Sequence, residues 1–227
     1  MAKAESITLD EARALVGDAA LWPRMREFLW DFAPQVHESW VESLKVESSE
    51  YGLESSTLSS PRVRRFILDK LGVEPFFHDF PKDDWSRLAL LDGATLLGIV
   101  KWIGALACAE ELRRVTDGAS VRELKSALTG IYPEVFGYTA YFRSLKVEGS
   151  KVESFNTEKL NPQCVVAAGV QCLYAFVANL PQPLLKRLSL KLPSNLKPST
   201  LNLQPSTLNL RLLLKLRFPE AYSLCCS

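Results

Sequence analysis

The sequence predicts a mainly α protein: a single compact multi-helix domain with low-complexity insertions and a C-terminal tail. Three observations lead there. Helix start and stop signals recur along the chain, with apolar residues at i, i+3 and i+4 between them. No stretch alternates as a half-buried strand would. The pentapeptide SLKVE occurs at 43–47 and again at 144–148, and PSTLNL recurs with a period of seven within 198–210, while nothing between these stretches repeats. A chain of 227 residues suits one domain, or one with a small annex, and buries roughly 70% of the surface its unfolded form would expose.

The elements follow in order. Thr8 and Glu11 have the spacing of a capping box, in which each side chain satisfies the other's free amide. Pro23 suits a first helical position, and RMREFLWDF then puts Met25, Phe28, Leu29 and Phe32 on one face. Pro34 ends that helix or opens the next, which carries QVHESW. Ser60-Pro61 starts a helix with Val63, Phe66, Ile67 and Leu71 at core spacing and Gly72 as its stop. DDWSRLALLDG reads as a short helix closed by Asp92-Gly93.

The longest predicted helix covers about 94–116. Its first sixteen residues contain one charge, Lys101, and the apolar run passes straight into EELRR. A bilayer span needs roughly 20 apolar residues, so this reads as a buried central helix with a wet last turn. Arg113 and Arg114 complement the dipole at its end, and Gly98 and Gly104 allow a neighbouring helix to approach closely. Ser120 and Glu123 form a second capping box, for a helix ending at Gly130. YPEVFGYTAYF makes an aromatic helix, CVVAAGVQCLYAFVANL (164–180) an apolar one too short to span a bilayer, and PQPLLKRLSLKLP closes the ordered part. Trp40 and Trp102 are expected to anchor the core.

The repeated stretches at about 43–60 and 144–163 lack core periodicity and sit at junctions. They read as insertions in loops, where closure entropy grows only logarithmically with length. A coiled-coil reading of the heptad fails because Pro198 and Pro205 recur inside it. The expected organisation is a helical domain over 1–193 and a low-complexity basic tail over 194–227.

Charge is uneven although the net is +1. Residues 1–60 hold eleven acids against five bases, and residues 186–217 hold seven bases (Lys186, Arg187, Lys191, Lys197, Arg211, Lys215, Arg217) and no acid. A basic tail can touch nucleic acid or anionic lipid, and translated repeat sequence that happens to lack acids gives the same pattern. The N-terminus has no apolar core of signal-peptide type. Five cysteines form no C-x-x-C pair, and two histidines do not complete a usual zinc set with them. Reduced thiols in a cytoplasmic protein are the plain reading.

Catalytic patterns are missing: no phosphate-binding loop, no dinucleotide fingerprint, no H-E-x-x-H and no G-x-S-x-G. His37 and His78 read as packed or surface histidines rather than general bases. Asp83-Asp84 precede an amphipathic helix, where acids complement the dipole. Arg113 and Arg114 with Asp117 could hold an anion, but a helix-end charge cluster is the plainer reading. TDGASVRELKSALTG faintly suggests a helix-turn-helix; residues 101–130, with five bases and four acids, make a poor footprint for DNA.

Three stretches together resemble the SctK family of type III secretion systems, the group that includes YscK. FLWDFAPQVHESW is similar to the family's early motif, which falls here on Pro34, His37, Ser39 and Trp40. The middle, from DWSRLALLDG to VRELKSALTG, is similar to the family's centre: an "LALL" helix, a long apolar helix, a basic pair (Arg113, Arg114), an Asp-Gly turn (Asp117, Gly118), then a further helix. NLPQPLLKRLSLKLP resembles the family's ending. The repeated stretches are the departures. The resemblance implies a non-enzymatic adaptor without cofactor, cytoplasmic and peripheral at the inner-membrane face. It would link an SctD-like ring protein to SctQ-like pods, which carry an SctL-like stator and an SctN-like ATPase. The alternative from another class is a helical regulatory module binding nucleic acid through helix 121–129 and the basic tail.

Overall fold

Proline sets several of the helix starts, because its fixed φ and missing N–H suit the first turn. It occupies the first or second position of α1 (Trp22–Trp30), α3 (Pro61–Lys70), α7 (Tyr132–Tyr138), α8 (Pro162–Phe176) and α9 (Gln182–Leu190). The computed structural model describes residues 21–47, 60–73, 84–139, 160–196 and 207–226. Among these, every regular element is a helix, in keeping with the mainly α expectation. Thr8, Glu11, His78, Asp83 and most of the three repeated stretches lie outside the described residues.

The chain divides into two compact units, each made of two chain segments. The first comprises Met1–Gly93 with Leu180–Ser194. It contains α1, a 3₁₀ turn at Ala33–Gln35, α2 (Glu38–Glu47), α3, a 3₁₀ helix at Asp84–Leu90, and α9. The expected face of α1 is the buried one: Met25, Phe28, Leu29 and Phe32 are all inside. Helix α3 is turned slightly from expectation, burying Ile67 and Leu68 while Val63, Phe66 and Leu71 stay half-buried. It stops at Gly72, whose φ of 59° is the left-handed conformation that ends helices cheaply only in glycine. DWSRLAL forms a 3₁₀ helix rather than an α-helix, and packs against α9 and α1.

The second unit comprises Ala94–Asn179 with Asn195–Ser227. The long helix expected over 94–116 is realised as α4 (Gly93–Ala107) and α5 (Ala109–Arg114), with Cys108 between them at φ −96°, ψ 15°. The i→i−4 bonds continue through it, Cys108 N–H to Gly104 at 2.9 Å and Leu112 N–H to Cys108 at 2.8 Å, so the interruption is confined to one residue. Helix α4 crosses α8 with almost no separation. A Cβ on Gly104 would lie 3.0 Å from Gly169 N and closer still to the Val165 carbonyl oxygen; one on Gly169 would meet Gly104 N at 3.0 Å and the Val100 carbonyl oxygen closer. The neighbour expected at Gly104 is therefore α8, which contributes its own glycine. Helix α6 (Gly118–Ala127) packs against α7 and α8.

Two expectations at the repeat boundaries change. The first SLKVE is not part of a loop: residues 43–47 continue α2. Leu160 is buried, and the Asn161 side chain accepts from Cys164 N–H at 2.9 Å, so α8 begins at Pro162 with a side-chain cap supplied from the second repeated stretch. The chain beyond Pro193 also departs from a tail. Residues Thr207–Arg217 (α10) and Pro219–Cys226 (α11) are helical, and pack on each other. Leu210, Leu213, Leu214, Ala221 and Cys225 are buried. Leucines at i, i+3 and i+4 in LNLRLLLKLR supply the apolar face, in the run RLLLKLRF (211–218) that is leucine-rich enough to pack as an extra helix.

Candidate functional site

The motif positions fall in both units. In the first unit, Pro34 is exposed at the start of the 33–35 turn. His37 precedes α2, and its backbone N–H donates to the Leu190 carbonyl at 2.8 Å. Trp40 is half-buried rather than a core anchor, and its indole N–H donates to the Leu192 carbonyl at 2.9 Å. The hydroxyl of Ser39 accepts from Ser194 N–H at 2.9 Å. The early motif HESW and the ending LSLKLPS, about 150 positions apart, are thus stitched together at alternate residues of the ending, 190, 192 and 194. Both motifs serve one clasp.

The basic residues of the ending face inward. Arg187 and Lys191 are each 1% exposed. Arg187 donates to the Phe28 carbonyl, and to Leu29 at 3.2 Å, with its guanidinium 5.2 Å from the Phe32 ring and 5.7 Å from Phe28. Lys191 donates to the carbonyls of Ala89 at 2.7 Å and Leu91 at 2.8 Å, 4.6 Å from the centre of the Phe28 ring. Carbonyls at the ends of α1 and of the 84–90 helix lack partners within their own helices. A buried cation satisfies them and gains a ring face as well. Burial pushes the Lys191 ammonium down to about 7, opposed by Asp92 and Glu27 and aided by Arg187 and Arg24. Lys186 donates to the Gly72 carbonyl at 2.7 Å.

In the second unit, Arg113 is exposed and donates to Thr139 Oγ1 at 2.8 Å and to the Phe136 carbonyl at 3.2 Å, with its guanidinium 5.5 Å from the Phe136 ring. Arg114 is exposed. Asp117, not Ser120, caps α6: its carboxylate accepts from Ser120 N–H at 2.7 Å. Those backbone and hydroxyl hydrogen bonds from Ser120 hold its carboxyl below the ordinary aspartate range. Gly118 is the first residue of α6, and a Cβ there would meet nothing nearer than Arg122 Nη1 at 3.8 Å. This cluster is a helix-connecting turn held by its own hydrogen bonds. Trp102 is buried as expected, edge-on to Tyr138, and Arg217 of α10 lies over both rings at 4.5 and 4.8 Å while pairing with Glu134.

These contacts answer the basic-tail question in part. Of its seven bases, Lys186, Arg187, Lys191 and Arg217 are engaged within the protein. Sequence reasoning missed Arg187 and Lys191 as structural residues. The signal was present: 184, 187, 188 and 191 share the apolar spacing of α9. The thiols are equally inward-looking. Burial pushes Cys108 up to about 12, helped by nearby Glu111, and Cys172 up to about 11, which leaves little reactive thiolate at neutral pH. Among the described residues no three of His, Cys, Asp and Glu converge as metal ligands, and no helix is long and apolar enough to cross a membrane.

The sequence model of the YOP proteins translocation protein K (YscK) family matches residues 32–226, which takes in both motif groups and extends through α10 and α11. No curated protein and no solved structure matches the chain. With most of its length covered, the chain belongs to the YscK family and is a protein of type III secretion.

Proposed function

We propose that this protein is a non-catalytic adaptor of the secretion apparatus, joining an SctD-like ring protein at the inner membrane to SctQ-like pods of the sorting platform. Through the pods it would connect indirectly to an SctL-like stator and an SctN-like ATPase. The position is cytoplasmic, at the membrane face, without insertion. The family match over 32–226 carries the reading. The motif positions support it, because Pro34, His37, Trp40, Arg113, Arg114, Asp117 and Gly118 include capping and stitching groups rather than a convergent reactive set. An adaptor needs rigid helical surfaces more than chemistry, and charged surfaces then steer and orient its partners.

Affinity purification of the tagged protein from cells assembling the apparatus tests this. Recovery of an SctQ-like or SctD-like protein is expected, and recovery of neither refutes it. The alternative, nucleic-acid binding through helix 121–129 and the basic C-terminal stretch, loses four of its seven cations to internal contacts. Salt-dependent DNA binding by the purified protein would revive it.

A further inference from the structure

Helix α3 carries Arg62, Arg64, Arg65 and Lys70 against one acid, Asp69. Arg64 belongs to its inner side, that of buried Ile67 and Leu68, and pairs with Asp31 at 2.8 Å. The other cations sit elsewhere. Residues 62, 65, 66, 69 and 70 follow the i, i+3, i+4, i+7, i+8 spacing of a single helix face. That face looks outward: Arg62, Arg65, Asp69 and Lys70 are all exposed. At its centre lies Phe66, half-buried, with Lys70 Nζ 5.7 Å from the ring centre. Among the described residues, Arg62, Arg65 and Lys70 pair with no acid.

A single surface ring is ordinary. A ring flanked by exposed cations that have no acids of their own is a composition interfaces favour, because arginine and aromatic side chains supply many binding hot spots. We infer that this outward face of α3 is a docking surface for an acidic segment of a protein partner. The partner sets carboxylates against Arg62, Arg65 and Lys70 and an apolar side chain against Phe66. The guanidinium fork of each arginine matches the two oxygens of a carboxylate. This surface rests on the adaptor reading for its partner being a protein, and on α3 alone for that partner being acidic.

Other occupants fit less well. A second copy presenting the same face would set cation against cation. A nucleic acid strand would bring phosphates to Asp69, and Lys70 lies over a ring face on which a base would stack. Helix α2, packed against α3, adds the exposed Glu38 and Glu42. A bilayer rewards a broad apolar face, and this one has a single ring. An acidic protein segment answers the cations and the ring together, and Asp69 fixes its register by rejecting an acid at that point.

The test is site-specific photocrosslinking of the full chain in cells assembling the apparatus. A benzophenone amino acid replaces Phe66, or the exposed Asp69 should that variant not fold, and the adduct is mapped by mass spectrometry. The expected adduct is a protein segment in which acids outnumber bases around an apolar residue. Its yield should fall about tenfold in a chain that also carries Arg62→Glu and Arg65→Glu, where like charges meet. Arg62→Gln with Arg65→Gln serves if the reversal does not fold. No adduct, an adduct to a segment without acids, to lipid or to nucleic acid, or a yield indifferent to the charge changes overturns the surface. The adaptor reading is judged separately. An acidic segment from a protein neither SctD-like nor SctQ-like sinks that reading while the surface stands, and purification of those partners upholds it where the surface fails.

Discussion

Replacing Gly104 by alanine adds one methyl group at a place where the structure has no room for it. The new carbon would lie 3.0 Å from Gly169 N and closer to the Val165 carbonyl oxygen. Both obstacles are backbone, so no rotamer change relieves them, and α4 must move away from α8. A gap of about 0.5–1 Å forfeits a quarter to a half of each dispersion contact along the crossing, where Val100, Ile103, Val165, Val170 and Leu173 are buried. Overpacking of this kind costs about 1–3 kcal/mol and occasionally more, while alanine returns about 1 kcal/mol of helix propensity. The rigid obstacle puts the expectation at the upper end, a net loss of about 2 kcal/mol, or roughly 4–8 °C in melting temperature for a chain of this size. Gly137→Ala is the matched control, being helical with nothing within 4 Å of the added carbon, and should be neutral or stabilising by up to about 1 kcal/mol. Adding Gly169→Ala to Gly104→Ala should cost less than the two separately, because one separation accommodates both methyls. Calorimetry of the four proteins decides it. If Gly104→Ala melts with the parent or above it, the helices are not in backbone contact.

Further outcomes follow from the buried groups. Lys191 titrates near 7 when folded and at 10.5 when free, so between those values the unfolded chain binds the extra proton and stability rises with pH. Urea midpoints should climb from pH 7 to 9 in the parent and climb less in Lys191→Met; above 9 the raised thiols of Cys108 and Cys172 act in the opposite sense. A parent midpoint that is flat from 7 to 9 would mean Lys191 is charged and solvated. Trp102→Ala should cost about 3–5 kcal/mol as a core truncation, whereas Trp40→Phe, which removes only the bond to Leu192, should cost about 1 kcal/mol; equal losses in thermal melts would contradict their different burial. Truncation after Ser194 removes three fully buried leucines at about 1.5–3 kcal/mol each, and should abolish cooperative melting or lower it sharply. Deleting 147–161 should destabilise more than deleting 147–159, because Leu160 and the Asn161 cap are lost only in the first.

Periodicity made the helices legible. Met25, Phe28, Leu29 and Phe32 recur at the spacing of one face, and Pro23, Pro61 and Gly72 mark ends whose physics is local. Starts with two competing caps were harder: Asp117 and Ser120 are both good acceptors, and Asp117 captures the Ser120 amide. DWSRLAL has helical residues, and nothing in their spacing distinguishes the 3₁₀ winding it adopts between α1 and α9. The clasp was invisible for a different reason. Trp40, Ser39 and His37 bind backbone atoms of Leu192, Ser194 and Leu190, and a carbonyl carries no side-chain signature in the sequence. Arg187 and Lys191 belong to the same class, since their partners are carbonyls and ring faces rather than acids. In α10 the low-complexity composition of the tail competed with a leucine spacing that continues beyond the repeat, from Leu210 to Leu213 and Leu214.

The division of each unit between two chain segments bears on how the protein is made. The first unit needs residues 180–194, which leave the ribosome only after most of the second unit has been synthesised. At about 5–20 residues per second, the surfaces that will surround Phe28 and Phe32 wait on the order of ten seconds for Arg187 and Lys191 to arrive. The second unit waits likewise for α10 and α11. Neither unit can close as it emerges, so the nascent chain holds two incomplete cores at once. Such a chain depends on protection from aggregation during synthesis, and a premature stop anywhere before Leu192 leaves neither unit finished.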